Sequence, residues 1–318
     1  MKTYNGIRKT IFILSLLSIV YAGCKKNDEE DPAPPLSGRE QAVADYKNMY
    51  LTTEVSTTEL AWSGDEFNCK EGTVSQAALD KVLMRINYFR KICGLPHNIT
   101  YDATRMNKCQ KMALMCHANG TISHSPPKSW SCYSADGASV SSSNLAYGSH
   151  STGSIRNWMR DDGANNAAAG HRRWIIFSRL KTTAIGTTDN YAALWCHTDF
   201  TSPLPNGIPA YVPYPPTYIP QALVFARWSL SVPNPVSFFS GVDFFATTVV
   251  MKDDAGKNIP VNIISKDDDG AGDQSIVWQP AGIVTNSTKD VKYHVVVDNV
   301  IVNGVKKKYE YDVNILKM

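Results

Sequence analysis

The sequence predicts an α/β chain in two folded parts, a helix-rich first part with a few strands and an all-β second part built as an immunoglobulin-like sandwich. Three observations predict it. Apolar residues recur at helical spacing in capped blocks over roughly the first half of the chain. From residue 222 onward, β-branched and aromatic residues dominate short runs separated by Asp-, Asn- and Gly-rich turns. Between the two, residues 203–220 contain seven prolines, which forbids helix and central strand and makes the segment an extended linker.

The first element in order is a leader. Lys2, Arg8 and Lys9 form a positive start, and residues 10–21 are an apolar run too short to span a bilayer. The run ends Tyr21-Ala22-Gly23-Cys24, which resembles a bacterial lipobox. That resemblance implies a signal peptide over 1–23, removal before Cys24 and lipidation of Cys24, anchoring the chain to a membrane. Residues 24–38 are charged and Pro-rich, so they read as a flexible tether. The acidic stretch after Cys24 resembles export signals of outer-membrane lipoproteins, some of them surface-exposed. The 32 Lys+Arg slightly exceed the 29 Asp+Glu, but without Lys2, Arg8 and Lys9 the two signs balance. No basic footprint for nucleic acid remains. With 43% hydrophobic residues a disordered chain is excluded, and 20 Gly with 17 Pro exclude a long coiled coil.

Six cysteines remain besides Cys24: Cys69, Cys93, Cys109, Cys116, Cys132 and Cys196. In an oxidising compartment an even set predicts up to three disulfides, with the pairing open. Metal binding by cysteine is disfavoured, because no C-x-x-C pair occurs.

An N-terminal extension at 39–66 begins with a short helix from Glu40 to about Met49. Ser75 caps a stronger helix, with Leu79, Val82, Leu83, Ile86 and Phe89 at helical spacing up to Gly94. Asp102 caps another, in which Met106, Cys109, Ala113 and Cys116 share a face before Asn119-Gly120 ends it. Ser154 caps a third, short one through Trp158 and Met159. Strands follow at 182–188 and 191–196. Beyond the linker, strand-like runs fall at 222–232, 246–252, 259–265, 275–278, 291–297 and 308–316, with Asp-, Asn- and Gly-rich turns between them at 253–258, 267–273 and Asn303-Gly304. They give the sandwich at 221–318. Asp267-Asp268-Asp269-Gly270 fails the EF-hand pattern and reads as a turn.

The chemistry-bearing residues lie between 85 and 196. They occur as Asn87-x-x-Arg90, Ser123-His124, Ser143-Asn144-Leu145-Ala146, Trp158-x-x-Asp161 and Gly170-His171. This ordered set resembles the CAP superfamily (cysteine-rich secretory protein, antigen 5, pathogenesis-related 1) across about two-fifths of the chain. The resemblance implies an α-β-α sandwich at 67–202 with a cleft formed by two histidines and two acids. His124 and His171 match the histidines, and Asp161 matches the second acid, one methylene shorter. Ser143 stands where the first acid belongs, beside Asn144, so the cleft of His124, Ser143, Asn144, Asp161 and His171 is degenerate.

Judged by chemistry alone, His124 and His171 are candidate Zn²⁺ ligands, with Asp161 a possible third, although no H-E-x-x-H helix fixes two of them on one face. Candidate catalytic residues are the same three, His124, Asp161 and His171. Serine hydrolysis lacks a G-x-S-x-G elbow, and Ser143 would need a histidine within hydrogen-bond reach. His97, His117, His150 and His197 read as ordinary surface or core histidines. The preferred function is therefore a ligand- or partner-binding module outside the cell, its ligand a protein, lipid or small molecule. The alternatives are a metal-assisted or serine-dependent extracellular hydrolase and a structural envelope protein with no ligand.

Overall fold

Ser37 opens the first helix, α1 (Gly38–Asp45), with a reciprocal cap: its hydroxyl accepts from the Glu40 amide, and its own amide donates to the Glu40 carboxylate. This computed structural model describes Met1 and residues 36–197, 203–237, 239–266 and 270–318. The leader, the lipobox with Cys24, and the tether up to residue 35 lie outside the described residues, as do residues 267–269 of the Asp-rich turn. Leu36–Met318 forms one compact unit. No helix among the described residues is long and apolar enough to cross a membrane.

After α1 the chain does not continue as α-helix to Met49. It widens into a π turn over Tyr46–Tyr50 and a 3-10 turn over Leu51–Thr53, followed by the one-turn α2 (Thr57–Leu60). The widening leaves the Tyr50 carbonyl and the Thr53 hydroxyl pointing at the next helix, where Arg85 donates to both, at 3.0 and 2.6 Å. That helix, α3 (Gln76–Ile92), starts at Ser75, whose hydroxyl accepts from the Ala78 amide at 3.1 Å. Helix α4 (Ala103–Asn119) starts at the Asp102 cap and ends at Gly120, which takes the left-handed conformation. A short α5 (Ala135–Ala138) and α6 (Ser151–Arg160) follow, then α7 (Gly170–Ile175). Helix α6 starts three residues before the expected cap: His150 holds the N-cap position, and Ser154 sits inside the helix, its amide bonded back to the His150 carbonyl.

A four-stranded sheet lies among these helices. β1 (Thr100–Tyr101) runs parallel to β3 (Thr182–Thr187), β3 pairs antiparallel with β4 (Tyr191–Trp195), and β4 pairs with β2 (Asn144–Tyr147). Alternation sends successive side chains to opposite faces. Ala184, Tyr191 and Ala193 join Cys109, Met112 and Met115 of α4 on one face. Ile185, Ala192 and Leu194 join Ile86, Ile155, Trp158 and Met159 of α3 and α6 on the other. The result is the expected α-β-α sandwich.

The Pro-rich segment supplies two sheet-edge strands, as missing ladder donors require. β5 (Val212–Tyr214) is an edge strand of a four-stranded sheet, antiparallel to residues 229–231, and β6 (Tyr218–Pro220) is an edge strand of a six-stranded sheet, parallel to residues 314–316. The four-stranded sheet contains β7 (Trp228–Ser231), β11 (Val261–Ser265) and β12 (Ser275–Pro280). The six-stranded sheet contains β8 (Val242–Asp243), β9 (Thr248–Asp253), β10 (Asn258–Ile259), β13 (Val291–Val302) and β14 (Val305–Leu316). Asn303 and Gly304, both at positive φ, form the turn the sequence predicts and make it a β13–β14 hairpin. The two sheets meet through fully buried tryptophans: Trp228 contacts Tyr293 edge-on, and the Trp278 indole N–H donates to Met251 Sδ. Truncating either would cost about 3–5 kcal/mol.

Among the described residues one disulfide forms, Cys69–Cys132, and Cys93, Cys109, Cys116 and Cys196 are buried free thiols. All four are packed as small apolar groups, and burial pushes each thiol up to about 12.

Candidate functional site

The order of elements brings three loops together over one end of the sheet. His124 precedes α5, Asn144 begins β2, Asp161 terminates α6 and His171 begins α7. Asp161 takes the left-handed conformation at the C-cap of α6, which turns its side chain back toward α7. Its carboxylate is fully buried. One oxygen accepts from His171 Nδ1 at 2.8 Å, and the other accepts from the Arg172 amide at 3.2 Å. Because a carboxylate accepts here, Nδ1 carries the hydrogen and Nε2 is the ring's outward atom. Asn144 fixes the same turn by donating to the His171 carbonyl at 3.0 Å.

His124 arrives at an equivalent state by another route. Its Nδ1 lies 2.6 Å from the Ser141 carbonyl, which can only accept, so His124 too carries its hydrogen on Nδ1 and offers Nε2. The two imidazoles line a cavity of about 260 Å³ with Asn144, Asn166 and Trp174. The volume lies just under the ~300–1,000 Å³ of small-molecule sites, enough for a compact polar group or a single inserted side chain.

Ser143 borders this cavity but is fully buried, its hydroxyl facing the Cys109 thiol. It is 0% exposed and so cannot act as a nucleophile at the cleft. The candidate zinc ligands of the sequence are His124 and His171, with Asp161 as a possible third. Asp161 has both oxygens engaged, and Ser143 offers no carboxylate. Among the described residues no three His, Cys, Asp or Glu side chains converge as a ligand set.

Two contributors escaped the sequence reading. His197, taken as an ordinary histidine, lies against the same cleft. Its ring stacks on Trp174 with centroids 4.3 Å apart, and its Nε2 lies 3.1 Å from the Ser142 carbonyl. Burial, and then the neighbouring His124, hold its imidazole below the usual value. The register gives the reason: β4 pairs Leu194 with Asn144, so the chain after Trp195 runs past the residues that precede Asn144. The second contributor is the β-rich part. Gly270 and Ala271 form one wall of the cavity. Arg227 donates to the carbonyls of Asp161, Gly163 and Asn166, holding the loop between α6 and α7.

Residues 83–195 match the CAP family, the cysteine-rich secretory protein family, whose proteins are typically secreted. No curated protein matches the chain.

Proposed function

We propose, from the CAP domain at residues 83–195, that this chain is an exported, lipid-anchored binding module whose His124/His171 cleft takes a polar group of a ligand or partner outside the cell. The β-rich part, read as an immunoglobulin-like sandwich, braces and presents that cleft. One observation carries the reading: the position of the first acid is Ser143, and it is fully buried. What remains is a pair of imidazoles with outward Nε2 atoms, which bind a donor when neutral and an acceptor when protonated. With a buried serine at that position, Asp161 is the one carboxylate of the expected pair that remains, and it is turned onto His171 rather than into the cavity. The open cavity supports ligand uptake over a purely structural envelope role, which would fill the cleft with its own side chains.

A second reading rests on the Asp161–His171 pair, since a buried carboxylate orienting a histidine is the base half of a hydrolytic site. It would activate water, with no serine in the role of nucleophile.

The test is purification of the full chain from its native membrane, beside His124→Ala/His171→Ala, with mass spectrometry of what each retains. A compound or partner held by the wild type and lost from the equally folded double variant is expected. Identical co-purifying material in both overturns the binding reading. Hydrolysis of p-nitrophenyl acetate that disappears in His171→Ala replaces it with the second one.

A further inference from the structure

The histidine cleft does not end at His171. That residue and Asn166 also border a second cavity, of about 230 Å³, which Tyr147 and Asn157 line as well. Because the two cavities share His171 and Asn166, they adjoin and form one groove. Strand β2 follows its length, with Asn144 in the first cavity and Leu145, Ala146 and Tyr147 in the second.

β2 is the edge strand of its sheet, paired with β4 on one side and with no strand on the other. The phase of that pairing is set just beyond it, where the Gly148 amide donates to the Asn190 carbonyl at 2.9 Å. In an antiparallel pair the main-chain groups of alternate residues point the same way. Asn144 and Ala146 therefore face β4, while Leu145 and Tyr147 face outward. On this outer edge the Leu145 carbonyl is taken by the Trp158 indole N–H at 3.0 Å. Tyr147 is 64% exposed, and neither its amide nor its carbonyl has a partner among the described residues.

Two side chains are an independent indication. Asn157 borders the second cavity and Asn165 the first; one is half-buried, the other exposed, and neither side-chain amide is bonded among the described residues. A primary amide carries a donor and an acceptor side by side, the complement of a peptide group's own carbonyl and N–H.

We propose that this groove binds an extended segment of a partner polypeptide, laid alongside β2 as an added strand. Main-chain bonds to Tyr147 and to the two asparagines hold the segment, and the cavity between His124, His171 and Trp174 admits one of its side chains. A lipid tail offers this edge no hydrogen bond, and a helix uses its main-chain groups on itself. An extended chain presents N–H and C=O at the two-residue spacing of a strand edge. The proposal rests on the binding reading of the cleft and names the class of partner it takes.

Phage-displayed random linear dodecapeptides, panned on the full chain, test this, with calorimetry on the peptides they yield. Binding peptides are expected. Methylating their main-chain nitrogens one at a time should weaken binding about 10-fold at every second position of the bound stretch and leave the positions between unchanged. Tyr147→Pro removes the outward N–H without touching the β4 ladder, so it should fold as the wild type does. It should bind about 3- to 10-fold more weakly than Tyr147→Ala, which loses the same ring but keeps that N–H. No enriched peptide, a methylation profile without the two-residue period, or equal binding by the two variants overturns the proposal. If the material held by the wild type and lost from His124→Ala/His171→Ala contains no polypeptide, the binding reading stands and the partner assigned here falls.

Discussion

At the scale of single residues, the cleft is defined by what each histidine is made to do with its inner nitrogen. His171 gives Nδ1–H to a buried carboxylate, and His124 gives its own to a backbone carbonyl. His197 is different, because burial, reinforced by the nearby His124, disfavours its charged form; burial acts the same way on His150. A histidine held below its ordinary value of 6.5 takes up a proton more readily in the unfolded chain than in the folded one. The stability tied to its neutral form is complete above that value and is lost as pH falls from it toward the folded value. Thermal unfolding should therefore occur at lower temperature at about pH 5.5 than at about pH 7.5, before the carboxylates titrate. In His197→Phe, which keeps a ring on Trp174, the drop should shrink. If the variant loses as much as the wild type, burial of His197 is not the cause.

At the scale of elements, the caps and periodicities were readable because they are local. Ser75, Asp102, Gly120 and the Asn303-Gly304 turn each specify their structure through a few neighbouring atoms. Asn87 and Arg90 were legible as a motif but not in their role. Asn87 pairs with both backbone groups of Ile99, and Arg90 donates to the carbonyls of Pro96, Ile175 and Phe177, so they position the strand entry and α7. The widened turn after α1 was not legible, since it depends on Arg85 seeking acceptors more than thirty residues away in sequence. His197 and Arg227 were missed for the same reason: only strand register and inter-sheet packing bring them to the cleft. The contact of α4 with β3 shows how closely such packing is set. Gln110 brackets Thr187, accepting from its amide and donating to its carbonyl. Beside it, a Cβ on Gly186 would fall 2.1 Å from the Cys109 backbone. Gly186→Ala should push α4 off the sheet and cost about 1–3 kcal/mol or more, as overpacking does. Chemical denaturation reads this as a lowered midpoint at an unchanged slope. A midpoint equal to that of the wild type would mean the helix moves freely at that contact.

At the scale of the whole molecule, the two expected parts share their interior. One buried cluster extends from Tyr46 and Ile86 through Trp158 and Leu194 to Trp228, Trp278 and Ile315. The segment after His171 fastens them together with charged groups. Arg172 donates to the Arg227 carbonyl and to Ser229, Arg173 to the Asp273 carbonyl, and Arg179 to the Asn234 carbonyl. In return, the Asp273 carboxylate accepts from the amide and hydroxyl of Ser178. All three arginines are buried, so removing these acceptors would leave guanidinium N–H groups unpaired in a low-dielectric interior. Neither part should then unfold while the other stays native. Calorimetry of the full chain is expected to give one transition, with equal calorimetric and van't Hoff enthalpies. A chain ending at residue 202 should lack the near-ultraviolet signal of packed aromatics. Two resolved transitions, or a native-like spectrum from the shortened chain, would mean that the arginines find water when the β-rich part leaves. The cleft would then be built by the first part alone. A single transition makes the histidine cleft a property of both parts, because the Arg227 that holds the Asp161 loop and the Ala271 that walls the cavity come from the β-rich half.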